Sequence, residues 1–360
     1  MTESVYEQLA NRLDAIPSGY PRTVSGVELH ILEKLFTPQQ AALANVMRLL
    51  CKSPEKIAEA AGIDPAKIQP MLDQMVADGL IRVERGKEGP IYGLMPFVVG
   101  IYEMNLHRLD AELAALIEAY FQETGAENSI FTSPPVHRVI PIDEAISFDL
   151  EVHPYEQATA FLEDAKSWGV RDCICRVQKD LIGEGCHHPK EVCLTFSHKE
   201  HAFDNAPATR PIGKAEAFEI LALAREAGLV HTTGNYRDGH QYICNCCTCS
   251  CGVLRGLAEF KMPTAVAHSN FVAASDEALC AGCGDCMVRC QFDAISLPDG
   301  YAVVDASRCL GCGQCVSICS TEAMRLRARP RSDQEPLPAN LSRWMVRRAI
   351  TRRSKLLDVL

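Results

Sequence analysis

The sequence predicts an α+β protein built from several domains, and three observations lead to this prediction. Its 360 residues correspond to two or three domains of ordinary size. The first 125 residues have mainly helical patterning with one hairpin-like stretch. Eighteen cysteines are present, and all except Cys51 fall in tight clusters beyond residue 170. We therefore expect a helical N-terminal module, a cysteine-rich middle domain and a C-terminal module with repeated cysteine runs.

The N-terminal region, residues 1–130, contains repeated helix-start signals. In Thr37-Pro38-Gln39-Gln40, Thr is placed as N-cap, Pro lies in the first turn, and Gln takes the capping-box position. Ser53-Pro54 and Asp64-Pro65 repeat the pattern of an N-cap residue followed by Pro. Residues 80–94 then form two β-prone runs around a turn rich in Gly and charge. Three helices followed by a hairpin resemble a winged-helix module, over about residues 27–95.

The charge pattern argues against nucleic acid as the partner. The candidate recognition helix, residues 64–78, has one Lys against three Asp, whereas readers of DNA supply basic and amide side chains. The net charge is −10, divided between −17 before residue 325 and +7 in the tail that follows. We favour a scaffold or protein-docking role for the winged-helix-like module. A redox-sensing transcription regulator is kept as an alternative function.

The middle domain, residues 131–265, holds nine clustered cysteines. They are Cys173, Cys175, Cys186, Cys193, Cys244, Cys246, Cys247, Cys249 and Cys251. Thiolates favour zinc, copper(I) or iron–sulfur clusters, but the frequent Cys-x-Cys spacing fits poorly with zinc knuckles, and nine thiolates are too many for one zinc. We expect at least one further iron–sulfur cluster here, with zinc and then redox thiols as the less favoured interpretations.

Which middle-domain residues share a metal stays open in the sequence. Cys173, Cys175, Cys186 and Cys193 form one conceivable set of four, and the run at residues 244–251 supplies another. Some histidines are candidates for an added ligand: His187, His188, His198 and His201. The CICR motif, the C-H-x-P-x-E-x-C stretch and the dense run together resemble multi-domain, multi-cluster ferredoxin-like proteins of anaerobic bacteria.

The strongest motif lies in residues 266–328. A C-x₂-C-x₂-C-x₃-C run begins at Cys280 and is repeated from Cys309, at an offset of 29 residues. Over about residues 270–326 the chain resembles bacterial two-cluster ferredoxins, in which the fourth cysteine of each run binds the other cluster. The family usually places Pro after that cysteine, and here Gln291 and Ser320 stand there.

The resemblance implies a ligand set for each of two [4Fe–4S] clusters. The first set is Cys280, Cys283, Cys286 and Cys319, and the second is Cys309, Cys312, Cys315 and Cys290. An acidic surround disfavours the addition of an electron, so we expect low reduction potentials.

The last segment, residues 329–360, is a basic tail that ends in a loosely amphipathic stretch. It is a candidate docking helix for an acidic partner, with a solvated tail as the alternative and a membrane surface as the less favoured partner. The N-terminus has no secretory signal, and the longest apolar stretch is short of a membrane span. We expect a cytoplasmic protein with reduced thiols.

These patterns predict single-electron transfer through two or more [4Fe–4S] clusters. The expected partner is a redox enzyme or flavoprotein, within a larger complex. No convincing pair of acid and base residues is present, so no catalytic residue is assigned. Whether the chain is itself an enzyme stays open, and a cluster-based oxidoreductase with a substrate-binding middle cluster is a further alternative.

Overall fold

The computed structural model describes residues 3–125, 132–146, 150–204, 206 and 208–354. The chain forms two compact units. The first consists of Met1–Ser133, Gln178–Gly185 and Met345–Leu360, and the second consists of Pro134–Val177 and Cys186–Trp344. The middle cysteines and the repeated cysteine runs therefore belong to the same unit.

The first unit is helical with one antiparallel hairpin. Its elements are α1 (Val5–Ala15), α2 (Val27–Leu35), α3 (Pro38–Val46), α4 (Pro54–Ala61), α5 (Pro65–Ala77), β1 (Ile81–Arg85), β2 (Pro90–Leu94), α6 (Tyr102–Met104) and α7 (Ala111–Thr124). Thr37 and Gln40 form the predicted capping box of α3. Ser53 and Asp64 are the N-caps of α4 and α5. The predicted helix starts are confirmed.

The second unit has a mixed order of strands and helices. They are β3 (His137–Val139), α8 (Ala158–Glu163), β4 (Ser167–Asp172), α9 (Ile174–Leu181), β5 (Glu191–Ser197), β6 (Arg210–Ile212), α10 (Lys214–Glu226), β7 (Val230–Gly234), β8 (Tyr242–Cys246), α11 (Gly252–Ala258), β9 (Val266–Ala267), β10 (Phe271–Ser275), α12 (Asp285–Arg289), β11 (Ile295–Ser296), β12 (Val303–Val304), α13 (Gln314–Ser317), β13 (Met324–Ala328) and α14 (Leu341–Thr351). The last residues of α9 and of α14 belong to the first unit.

A seven-stranded sheet organises the second unit. Its strand order is β6-β4-β5-β8-β7-β3-β9, and all neighbours are antiparallel except β3 and β9. The helix α10 packs on it through Ala217, Leu221 and Ala224, in one core with Val170 and Leu194. Burying this apolar helix face against the sheet is what holds the layer together.

The cysteine-run segment is fixed to the end of α10. Two small sheets, β10 with β13 and β11 with β12, frame this segment. Carbonyl groups at the end of α10 and just after it accept hydrogen bonds from three of its side chains: Arg289 donates to Glu226 (2.9 Å), Gln291 to Gly228 (2.6 Å) and Gln314 to Leu229 (2.6 Å). Helix C-terminal carbonyls lack partners inside the helix, so these bonds satisfy groups that otherwise need water.

The predicted tail helix is present as α14. Arg348 is fully buried and donates to the carbonyls of Pro17 (2.8 Å) and Thr132 (2.5 Å). Arg352 donates to the carbonyls of Asp14 and Ile16. Two of the tail's basic side chains are thus used inside the chain. The last six residues of the predicted segment lie outside the described residues.

Within the described part of the chain, no helix combines the length and apolar character needed to cross a lipid bilayer.

Candidate metal centres

Each repeated cysteine run wraps a tight turn that leads into a short helix. Gly284 and Gly313 precede α12 and α13, both with left-handed backbone (φ +82° and +80°). At Gly282, a Cβ atom would lie 2.3 Å from the Gly300 carbonyl oxygen, so the turn admits only glycine. The backbone is thereby drawn close around the cysteine sulfurs.

Backbone N–H groups point at three of these sulfurs. Ala302 donates to Cys280 Sγ (3.3 Å), Ala273 donates to Cys309 Sγ, and Met324 donates to Cys319 Sγ (both 3.4 Å). The N–H groups of Ala302 and Gly282 lower the pKa of Cys280. Such bonds stabilise thiolate charge, which fits ligands of an iron–sulfur cluster.

The fourth cysteine of each run lies near the other run. Cys319 interacts with Cys280, and Cys290 interacts with Cys312 and Cys315. Burial raises the pKa of the Cys312 thiol to about 12, and a bound cation would favour the thiolate form of this sulfur.

One end of this segment faces solvent. Cys283 is exposed, and so are Leu279, Met287 and Val288, the last with 91% of its surface accessible. A cavity of about 920 Å³ has Cys319 in its wall, and its lining includes Arg289, Arg325 and Arg327. The first predicted ligand set therefore has one exposed member, Cys283, although its Cys286 is buried, whereas Cys309 and Cys315 of the second set are both buried.

Six middle cysteines form a ring, named here the six-cysteine ring: Cys173, Cys175, Cys193, Cys244, Cys246 and Cys251. Strand geometry explains part of it. Cys244 and Cys246 are two residues apart on β8, so their side chains share one face of the sheet. Leu194 pairs with Ile243 across β5 and β8, which sets Cys193 opposite Cys244. The Cys-x-Cys spacing of Cys244 and Cys246 thus follows from the two-residue repeat of a β-strand.

Thiol interactions run around the ring in series. They join Cys173 to Cys175, Cys175 to Cys251, Cys251 to Cys246, Cys246 to Cys244, Cys244 to Cys193, and Cys193 to Cys173. Hydrogen bonds with neighbouring thiols, and then burial, raise the pKa of Cys173 and Cys244, while hydrogen bonds from Cys244 and Cys251 lower the pKa of Cys246 to about 6. Six sulfurs exceed the four that one [4Fe–4S] cluster takes.

The remaining three middle cysteines form a separate group, named here the three-cysteine group: Cys186, Cys247 and Cys249. Their sulfurs all lie within 4.8 Å of one another, with Cys186 Sγ and Cys247 Sγ 4.0 Å apart. Cys247 is buried, Cys186 is half-buried, and Cys249 is exposed. The structure therefore brings Cys186 to this group and not to Cys173, Cys175 and Cys193.

Arg176, the last residue of the CICR motif, is a buried cation beside the middle cysteines, and the motif did not predict this role. It is 1% exposed and donates to the carbonyls of Pro189 (2.7 Å) and Asn245 (2.5 Å). Its charge acts on Cys173 and Cys246 of the ring and on Cys247 of the three-cysteine group. A bond from Cys249, together with this charge, lowers the pKa of Cys247 to about 4. Arg176 offsets thiolate charge in both sites.

The ring and the repeated runs share one buried core. Cys290 and Cys312 pack against the cluster of buried residues that contains Cys246 and Cys251. Gln291 joins the two regions as well, because its Oε1 accepts from the Thr248 N–H (2.7 Å) while its Nε2 donates to the Gly228 carbonyl. The sequence shows Gln at position 291, where two-cluster ferredoxins usually have Pro, but it does not show which groups this side chain bonds.

The candidate histidines are placed unequally. His198 bonds the Asp164 carbonyl, and His201 bonds the Asp204 carboxylate, both at the surface. His187 is exposed. The charge of His188 acts on a middle cysteine, Cys247.

Comparison with known proteins gives one family. The model of the 4Fe-4S dicluster domain matches residues 279–323, a span that contains all eight cysteines of the repeated runs. No curated protein and no solved structure matches the chain. The chain therefore contains a 4Fe-4S dicluster domain, and its 18 cysteines support iron–sulfur chemistry.

Proposed function

We propose that this chain is an iron–sulfur electron-transfer protein that passes single electrons between its dicluster domain, at least one further cluster in the six-cysteine ring, and a partner redox enzyme or flavoprotein. The observation that carries the proposal is the shared core, in which Cys290 and Cys312 pack with Cys246 and Cys251. Two sulfur sites in one buried core suit short-range electron exchange. In this proposal, the chain and its partner enzyme belong to one larger complex.

The ligand sets proposed for the dicluster domain follow the proximity of its sulfurs. Cys319 joins Cys280, Cys283 and Cys286, as its interaction with Cys280 supports. Cys290 joins Cys309, Cys312 and Cys315, supported by its interactions with Cys312 and Cys315. When bound, a [4Fe–4S] cluster supplies a one-electron couple whose potential depends on charge, burial and N–H···S bonds.

The exposure of the cysteines differs between the two ligand sets of the dicluster domain. Cys283 is open to water, whereas Cys309 and Cys315 are buried, so the two environments differ in polarity. Leu279, Met287 and Val288 are exposed apolar residues within five positions of Cys283 in the chain, and exposed apolar side chains suit partner contact. We therefore place electron exchange with the partner at the Cys283 end and the ring at the inner end.

Metal content and redox titration test the proposal on protein purified without oxygen. We expect about twelve or more iron atoms per chain, with sulfide in proportion. Reversible reduction followed by EPR should resolve the dicluster signals and a separate ring signal. Cys251→Ser should remove the ring signal and leave the dicluster signals, and Cys51→Ser, outside both sites, should change neither.

Two results would contradict different parts of the proposal. About eight iron atoms per chain would restrict iron–sulfur chemistry to the dicluster domain and remove the ring from the path. Full iron content without reversible electron exchange with any low-potential donor would overturn the electron-transfer function itself.

A further inference from the structure

We propose that the three-cysteine group binds a single zinc ion, as a site distinct from the iron–sulfur ligands of the six-cysteine ring and the dicluster domain. The site also has a fourth coordination position that is open to a ligand from solution. This inference does not depend on the electron-transfer function.

The spacing of the sulfurs indicates one metal ion. Tetrahedral zinc with bonds of about 2.3 Å places its sulfur ligands roughly 3.8 Å apart. The three sulfurs lie within 4.8 Å of one another, and Cys186 and Cys247 are 4.0 Å apart. One ion can therefore contact all three sulfurs after small adjustments of the side chains.

The dicluster cysteines provide an internal comparison. In a [4Fe–4S] cluster each thiolate binds a different iron, so the ligand sulfurs surround a larger object than one ion. Among the described residues, no three of the eight dicluster sulfurs, and no three of the ring sulfurs, lie within 4.8 Å of one another. The same chain thus spaces its cysteines in two ways, and the tight spacing belongs to the three-cysteine group.

The surroundings of the group fit a thiolate-bound cation. Ser250 is buried, and its hydroxyl lies 3.5 Å from Cys186 Sγ and donates to Cys249 Sγ (3.9 Å). Hydrogen bonds of this kind, made to the ligand atoms by neighbouring side chains, orient metal ligands and stabilise their charge. Zinc with three thiolates carries one negative charge, and the buried Arg176, whose charge acts on Cys247, offsets it.

The fourth position has no fixed protein ligand in the described structure. No further His, Cys, Asp or Glu side chain joins the three sulfurs within 4.8 Å. Cys249 is exposed, so water reaches this side of the site. Zinc sites with three protein ligands and a water are the kind that exchange a ligand, in contrast to closed structural sites.

The test measures zinc and iron together on the full chain, purified without oxygen with its clusters in place. We expect about one zinc ion per chain by mass spectrometry of the metals. Cys249→Ser, at an exposed position, should remove most of the zinc and leave the iron content and the dicluster EPR signals unchanged. Cys193→Ser, in the ring, should lower iron and leave zinc, and Cys51→Ser should leave both.

Exchange of zinc for Co²⁺ provides an optical readout of the site. We expect intense visible bands of tetrahedral cobalt with sulfur-to-metal charge transfer, present in the Cys51→Ser protein and lost in Cys249→Ser. Zinc that depends on Cys193 and not on Cys249 would overturn the proposal, as would loss of about four iron atoms in Cys249→Ser. Intact dicluster EPR signals show that a variant has kept its fold.

Discussion

Single residues decide how closely the backbone approaches the dicluster sulfurs. Gly282 and Gly284 both have left-handed backbone, but their surroundings differ. A Cβ atom at Gly282 meets the Gly300 carbonyl oxygen at 2.3 Å, whereas one at Gly284 meets no atom within 4 Å. The first position excludes a side chain by contact, and the second only by backbone preference.

This difference predicts unequal effects of two alanine substitutions. Gly282→Ala should displace the turn at Cys280 and lower the iron content of the first ligand set, because the clash is with backbone. Gly284→Ala should cost about 1 kcal/mol of stability and keep the iron. Iron per chain and thermal unfolding measure both variants. Equal iron loss in the two proteins would contradict the steric explanation.

The side chain of Gln291 links the Thr248 N–H to the Gly228 carbonyl. The substitution Gln291→Ala tests how much this link stabilises the fold. The variant leaves the Thr248 N–H and the Gly228 carbonyl without this partner, so the free energy of unfolding should fall by about 1–3 kcal/mol. Ser320→Ala, at the equivalent and exposed position of the second run, should change it little. Thermal unfolding followed at the cluster absorbance compares the two. A larger effect at Ser320 would contradict the bridging role.

At the scale of elements, the part of α14 that belongs to the first unit, from Met345 onward, is held there by a buried cation. Burial lowers the pKa of Arg348 to about 9, and its guanidinium bonds two carbonyls. Arg348→Ala should lower the free energy of unfolding by about 2 kcal/mol or more, because the carbonyls of Pro17 and Thr132 lose a charged hydrogen-bond donor. Arg343→Ala, exposed on the same helix, is the matched control and should have little effect. Denaturant unfolding distinguishes them, and equal midpoints would contradict a structural role.

Elements with local signals were predictable, and elements made by distant pairing were not. The caps at Thr37, Ser53 and Asp64 lie next to the helices they start, so the sequence shows them directly. Strands β5 and β8 pair across nearly fifty residues, and their cysteines obscure the usual alternation of apolar and polar residues. The seven-stranded sheet therefore has no simple local signature.

The sites show the same division between local and distant signals. The eight dicluster cysteines stand in two short runs, so the motif alone predicts them, and all eight lie within the residues that match the 4Fe-4S dicluster domain. All nine middle cysteines were recognised as ligand candidates, but their division into six and three depends on which strands pair. Cys186 and Cys247 lie 61 residues apart and meet only in the folded chain. Arg176 belongs to the CICR motif, but the motif does not show that its side chain is buried between two groups of cysteines.

At the scale of the whole molecule, the net charge of −10 predicts how small electron donors approach. Reduction by a cationic viologen radical should slow when salt is raised from about 0.01 M to about 0.15 M, because the screening length falls from about 30 Å to about 8 Å. Reduction by the dithionite-derived radical anion should accelerate. Stopped-flow absorbance measures both rates, and a zwitterionic viologen is the control. Equal salt dependence for all three donors would contradict long-range steering.

The Gln291 bridge has a mechanical consequence. Thr248 lies between Cys247 and Cys249, and Gln291 directly follows Cys290. Because the bond between them is 2.7 Å long, a displacement of about 1 Å in either segment is enough to break it. Only small movements of the backbone around Cys290 are therefore transmitted to the loop that presents Cys247 and Cys249, and a larger movement releases this loop from the repeated runs.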